Sequence, residues 1–233
     1  MAPVPSDGGP LAYVDDLDAP RLDDEEHHHL ARVRRLRAGD ALVLSDGRGG
    51  WRPACFAGTE PEPTGEVQHE ARPTPELAVA FALVKGAKPE LVVQKLTELG
   101  IEQIVPFVAE RSVVRWDRSK VAAAQVRLTK VARGAAAQSR RAFLPVVEPV
   151  ADFASVAARP GAGLADRDGA PPSLDLPLLL VGPEGGWSPA ERDVPLPTVG
   201  LAPGVLRAET AAIVAASVLV ALRSGVVAPA AGT

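Results

Sequence analysis

Apolar positions change their spacing near residue 76, and the change divides the chain. Before it the apolar runs are short. Ala41 to Leu44 and Trp51 to Phe56 read as strands joined by the turn Asp46-Gly47-Arg48-Gly49-Gly50. The segment Gly58 to Glu76 carries Pro61, Pro63, Pro73 and Pro75 with few large apolar residues, and reads as a connector with one short strand near Val67. Short strands separated by Gly and Asp turns predict a small β-barrel over residues 1–72.

From residue 73 onward, strands alternate with helical periods. Leu77 to Val84 is a compact apolar strand, and Pro89 to Leu99 a helix stopped by Gly100, which tolerates a left-handed cap. Ile101 to Val108 is strand-like again. Ser119 to Ser139 predicts a long helix with its apolar stripe on Val121, Ala124, Leu128, Val131 and Ala135, and with Lys120, Arg127, Lys130 and Arg133 off that stripe. Leu178 to Val181 is a short buried strand, Thr198 to Ala202 another, and Glu209 to Arg223 a helix. This alternation implies an α/β domain with a mostly parallel sheet over residues 73–233. The Gly-, Pro- and Asp-rich stretch from Pro160 to Pro177 is expected to be a mobile loop, and no internal repeat is visible. In the last helix, Ala211 to Leu222 has only Ser217 polar, so every side needs cover. A second subunit supplies that cover most simply, and a homodimer is expected.

Composition narrows the class. With 46% hydrophobic and 23% charged residues the chain is an ordinary globular protein. Pro3, Pro5 and Pro10 interrupt the start, so a secretory signal is not expected. The most apolar run, Thr210 to Leu222, is shorter than the roughly 20 residues that cross a bilayer. Cys55 is the one cysteine, which excludes an internal disulfide framework and a cysteine metal cluster. His27, His28 and His29 are adjacent with no third ligand at suitable spacing, so no metal site is expected. A cytoplasmic protein without membrane or metal follows. The net charge of −4 announces no nucleic-acid partner, but its distribution does more. Nine basic residues against one acid, Asp117, lie between Arg111 and Arg141, and Arg32, Arg34, Arg35 and Arg37 fall within six positions. Either cluster alone reads as a solvated face; two in an acidic chain favour a phosphate-bearing partner.

Candidate chemistry lies in two turns. Gly182-Pro183-Glu184-Gly185-Gly186 follows a buried strand and precedes a helix opened by Ser188-Pro189-Ala190-Glu191, a capping box with Pro at the first helical position. Ligands of open α/β sheets bind beyond the carboxyl ends of strands, and glycines there let a ligand approach the backbone. The segment is neither a Walker loop nor the dinucleotide G-x-G-x-x-G. Taken alone it reads equally well as a tight turn. The second turn, Leu201 to Ala211, again runs from a strand through a Gly/Pro bend into a helix, so a shared pocket is expected. Arg207 there is a surface cation or a ligand clamp.

GPEGGWSPAE (Gly182 to Glu191) together with LRAETA (Leu206 to Ala211) resembles the cofactor signature of the RsmE family, SPOUT-class methyltransferases of 16S ribosomal RNA. His28 to Gly50 is similar to that family's N-terminal PUA-like domain. Leu83 to Ile101, Glu110 to Trp116 and Ala136 to Pro145 follow in the family's order, so the resemblance spans about residues 20–223. It implies a trefoil-knot α/β domain, a homodimer, and S-adenosylmethionine as cofactor. The implied cofactor residues are Gly182, Pro183, Glu184, Gly185, Gly186, Leu201, Leu206, Arg207 and Thr210. The implied reaction is methylation of uridine N3 in 16S RNA or the 30S particle. N3 must lose a proton as it attacks; Arg207 is the candidate cation for the developing uracilate and Glu209 the candidate acid/base or orienting group. Both, and Glu184, could equally serve only to hold the loops together. Arg32, Arg34, Arg35, Arg37, Arg111, Arg115, Arg140 and Arg141 suit RNA phosphate. The chain departs from the family where Ala202 and Gly204 replace Gly and Arg, and where Gly134 and Ala137 stand in place of two glutamates. Another rRNA or tRNA target, or a non-catalytic assembly factor, remains open at this stage.

Overall fold

Alternate side chains of a strand face opposite ways, and in β2 (Ala41–Ser45) both faces are covered. Leu42 and Leu44 pack with Ala12, Val14, Leu30, Ala54 and Phe56, while Val43 packs with Leu11, Tyr13, Trp51, Ala136 and Ala142. That double burial explains the unbroken apolar run. The computed structural model describes residues 3–84, 88–112 and 118–228. Two compact units make up the chain: Met1–Pro73 with Arg133–Leu144, and Thr74–Ala132 with Pro145–Thr233.

The first unit holds a mixed sheet. β1 (Leu11–Tyr13) runs parallel to β2; β3 (Gly50–Phe56) is antiparallel to β2 and pairs in turn with β4 (Pro61–Pro63) and β5 (Gln68–His69). The β2–β3 turn is set by Asp46, whose Oδ1 accepts from the amides of Arg48 and Gly50 at 2.7 and 2.9 Å. α1 (Asp24–His28) is capped by Asp23, carries Asp24, Glu25 and Glu26 in its first turn, and continues as a π turn, His29–Val33. Acids there suit the positive end of the helix dipole. His27 faces the Gly58 carbonyl at 2.9 Å and the Phe56 ring. The segment Arg133–Leu144 closes the second face of the sheet. The Tyr13 hydroxyl donates to the Arg141 carbonyl at 2.7 Å, and the buried Ser45 hydroxyl donates to the carbonyls of Gly50 and Ala142. Burial raises the Tyr13 phenol well above its ordinary range.

The second unit is a sheet with helices on both faces. β6 (Ala78–Ala82), β7 (Gln103–Val108), β8 (Val146–Val147), β9 (Ala151–Asp152), β10 (Ala162–Ala170), β11 (Leu178–Val181) and β12 (Thr198–Val199) form it. Its order is β12-β10-β11-β6-β7-β8, with β9 also beside β7, and every described pairing is parallel. Val79, Phe81, Leu179 and Val181 pack under α2 (Lys88–Leu99), α3 (Arg118–Gln138) and α6 (Ala208–Arg223); Ala78, Ala80, Leu178 and Leu180 pack toward α4 (Phe153–Ala157) and Trp187. Strands buried on both faces read as continuous apolar runs, as parallel sheets require. Gly100, at φ +102°, ends α2 as expected, and the stripe of α3 buries Ala124, Leu128 and Ala135.

The Pro160–Pro177 stretch is not a loop throughout. Ala162–Ala170 forms β10, paired on one side with β11 and on the other with β12. Only Ala162 to Leu164 are buried there, so partners on both sides, rather than local apolar pattern, make this strand.

Candidate functional site

Sheet order reverses between β11 and β12: the chain leaves β11, passes α5 (Pro189–Arg192), and returns on the far side of β10. The carboxyl ends of β10, β11 and β12 therefore meet the two glycine-bearing loops at a switch point, where open sheets bind ligands.

The first loop is anchored from three directions. Ser188 caps α5 in the expected capping box: its hydroxyl accepts from the Glu191 amide, and the Glu191 carboxylate accepts from the Ser188 amide at 2.9 Å. The other oxygen of this buried carboxylate accepts from the Glu110 amide, also at 2.9 Å. Trp187 is 4% exposed; its indole N–H donates to the Ala165 carbonyl at 3.0 Å and its ring stacks on Phe107 at 6.1 Å. Gly182 packs tightly against Trp187: a Cβ there would stand 3.0 Å from that ring, which would have to give by a few tenths of an ångström. Arg111 Nη1 donates to the Gly185 carbonyl at 3.2 Å.

The second loop follows a close backbone contact. A Cβ on Gly169 would stand 2.4 Å from the Val199 amide nitrogen, and one on Gly200 would stand 2.8 Å from the Gly169 carbonyl. Only paired glycines let β10 and β12 approach this way. Leu201 begins the loop, and Arg207 is the N-cap residue of α6.

Between the loops lies a cavity of about 200 Å³. Of the expected cofactor residues, Gly182, Pro183, Glu184, Gly186, Leu201 and Leu206 line it. Gly185 stands outside that lining, its carbonyl engaged by Arg111; Arg207 and Thr210 are exposed on the first turn of α6. Asp166, Arg167 and Arg192 also line the cavity, with Arg192 3.0 Å from Asp166, and none of the three stood out in the sequence. The cavity wall is apolar at Val181, Leu201, Leu206 and Ala211. At Gly186 and Gly204 open space lies where a Cβ would stand, so a ligand can approach the backbone closely, although the Gly186 amide already donates to the Pro183 carbonyl at 2.9 Å. That combination fits a nucleoside cofactor: apolar walls for a heterocycle, and approachable backbone for its polar edges.

Lys88, at the start of α2, lies 3.4 Å from the Glu184 carboxylate and 3.2 Å from that of Glu209. Burial alone would raise the Glu209 carboxyl, but its backbone hydrogen bond and Lys88 outweigh this and hold it below the usual range. Such a carboxylate is a poor proton acceptor and a good anchor.

The candidate RNA residues are placed unevenly. Arg32, Arg34, Arg35 and Arg37 are all exposed on and after the π turn, with Arg35 at φ 58°. Arg111 is exposed beside Gly185. Arg115 lies outside the described residues. Arg140 turns inward, donating to the Gly9 carbonyl at 2.6 Å, and burial lowers its pKa. Arg141 supplies its carbonyl to Tyr13. Among the described residues no group of three or more His, Cys, Asp or Glu could hold a metal, and no helix is long and apolar enough to cross a membrane.

Comparison with known proteins bears on this geometry. An RNA methyltransferase domain family matches residues 71–220, and an RNA methyltransferase PUA domain family matches residues 22–62. The chain is 32% identical over 241 residues to ribosomal RNA small subunit methyltransferase E of Mycobacterium tuberculosis, covering 88% of each. It is 32% identical over 224 residues to the protein of the same name from Bacillus subtilis, covering 84% of this chain and 87% of that one. Among solved structures, a putative methyltransferase from Legionella pneumophila with bound S-adenosylmethionine superposes with a TM-score of 0.80 at 27% identity, covering 91% and 96%. Ribosomal RNA small subunit methyltransferase E from Neisseria gonorrhoeae, bound to the same cofactor, gives 0.76 at 26% identity over 92% and 98%.

Proposed function

This chain belongs to the RNA methyltransferase family that includes ribosomal RNA small subunit methyltransferase E, and from that premise we propose that it methylates uridine N3 in 16S RNA with S-adenosylmethionine. The observation that carries the reading is the cavity between the loops at 182–187 and 201–208, at the carboxyl ends of parallel strands.

When bound there, S-adenosylmethionine supplies an electrophilic methyl group on a sulfonium. Gly182, Pro183, Glu184, Gly186, Leu201 and Leu206 would hold it, with Gly185 fixing the loop through Arg111. Arg207, exposed between the lining residues Leu206 and Ala208, is the candidate cation for negative charge growing on a uracil. Glu209, held ionised, acts as the orienting group rather than the proton acceptor. Thr210 stays a candidate for cofactor contact from the same turn of α6.

RNA is held by the exposed cations. Arg32, Arg34, Arg35 and Arg37 suit phosphate in the first unit, and Arg111 in the second. The Arg140 guanidinium serves the fold of the first unit first, through the Gly9 carbonyl. A homodimer through α6 fits the apolar residues Ile213, Val214, Val218 and Leu222, all left only partly buried by the single chain. A cytoplasmic setting follows from the ribosomal substrate.

The deciding experiment incubates the protein with cofactor and, separately, 30S particles, naked 16S RNA and tRNA, then maps the methyl group by mass spectrometry. A new N3-methyluridine in 16S RNA is expected. Methylation of tRNA, or at another ribosomal position, would redirect the reading. Absence of cofactor binding at millimolar concentration would leave a non-catalytic RNA-binding factor.

A further inference from the structure

Lys88 sits where helix physics does not want it. It opens α2, and a cation at a helix N-terminus opposes the macrodipole, whereas Glu90 in the same turn complements it. Helix stability therefore does not account for a lysine at this position. Its ammonium instead lies between two carboxylates that the chain order separates widely: Glu184, in the loop after β11, and Glu209, in the first turn of α6. Both elements line the cavity, Pro183, Glu184 and Gly186 from one loop and Leu206, Ala208 and Ala211 from the other segment.

We propose that Lys88 is a positioning residue for cofactor binding, its ammonium holding the two cavity loops at their working separation by pairing with Glu184 and Glu209 at once. The inference rests on reading the cavity as the S-adenosylmethionine site. Remove the cation and two like charges are left to repel one another across the cavity mouth, with Glu209 only 13% exposed and little able to recruit water instead. Hydrogen bonding to Glu209, above all, raises Lys88, and Lys88 in return helps to lower Glu209, so both members stay charged near neutral pH. Lys88 and Glu184 are 36% and 44% exposed, so the cation's own contribution to folding is small. Its effect is expected in ligand affinity, and not in the unfolding midpoint.

Calorimetric titration of S-adenosylmethionine into the full chain tests this, with thermal unfolding recorded beside each variant. K88M is expected to bind about tenfold more weakly than the wild type, and K88R within about threefold of it. K88M/E184Q, in which the repelling charge is also removed, is expected to regain most of the lost affinity. All variants should unfold within a few degrees of the wild type. K88M that binds as the wild type does, K88M that no longer folds, or K88M/E184Q and K88R no tighter than K88M would each overturn the proposal. A wild-type protein that does not bind the cofactor overturns the functional reading itself, an outcome distinct from equal binding by wild type and K88M.

Discussion

Trp187 joins the core of the second unit to the wall of the cavity, so replacing it should be felt in both. Its ring is 4% exposed, stacked on Phe107 with an interplanar angle of 9° and tilted against Phe153 at 5.6 Å. Truncating a buried Trp to Ala costs about 3–5 kcal/mol when the site cannot collapse. Two aromatic contacts of roughly 0.5–1.5 kcal/mol each are contained in that figure. Collapse is hindered here, because the neighbours are a parallel strand (Phe107 on β7) and the backbone of Gly182. Trp187→Ala also takes the donor from the Ala165 carbonyl, and Ala165 and Gly182 both line the cavity. Trp187→Phe separates the two effects, since it keeps a ring and loses the N–H, at a cost of about 1–3 kcal/mol. Urea unfolding followed by far-UV circular dichroism reads the stability change, and calorimetry with S-adenosylmethionine reads the wall. The expected order is wild type, then Phe, then Ala, in both assays. If Trp187→Ala loses less than about 1 kcal/mol and binds cofactor unchanged, the account of Trp187 as the link between core and cavity is wrong.

Three further outcomes follow from other contacts. Arg223 Nη1 donates to Glu102 Oε2 at 2.7 Å with side-chain exposures of 11% and 7%, so Arg223→Met should cost about 3–5 kcal/mol in urea unfolding, and the double variant Glu102→Met/Arg223→Met should recover much of it. Gly169→Ala forces β12 away from β10 and should cost about 1–3 kcal/mol and weaken cofactor binding; Gly163→Ala, whose Cβ would meet nothing nearer than Leu176 at 3.2 Å, should cost less. The Glu209 carboxyl is held below its unfolded value of 4.5, so it stabilises the fold fully above that pH and loses this contribution as pH falls through its lower folded pKa. Chemical denaturation of wild type and Glu209→Gln should therefore give a constant stability difference near neutral pH that closes in acid; a difference that instead grows with acidification would contradict the assignment.

The readable parts of the fold were those in which local pattern and tertiary environment agree. β6, β11, α2 and α3 carry apolar runs or stripes that match their buried faces, and the Ser188–Glu191 capping box formed as its spacing implied. β10 escaped because only Ala162 to Leu164 are apolar and buried, and its partners lie on both sides in space rather than in sequence. α1 escaped because it buries no residue at all, leaving no stripe to read. In the cavity, the glycine loop announced itself, but Asp166 and Arg192 did not, since a 3.0 Å ion pair between residues 26 positions apart leaves no local mark. Lys88 falls one residue before the helix read over Pro89 to Leu99, and nothing local marks it. Its meaning depends on where residues 184 and 209 come to rest.

The membership of Arg133–Leu144 in the first unit has a consequence for biosynthesis. Leu11, Tyr13, Val43 and Trp51 leave the ribosome with one side of their sheet bare, and the residues that cover it, Ala136 and Ala142, are made only after most of α3. At about 5–20 residues per second, the 84 residues between Trp51 and Ala136 impose a wait on the order of 4–17 s. During that interval the nascent amino-terminal sheet shows a sticky flank, and a polypeptide cut at Pro73 would show it permanently. Severed expression of that region should yield inclusion bodies unless the later stretch is supplied in trans.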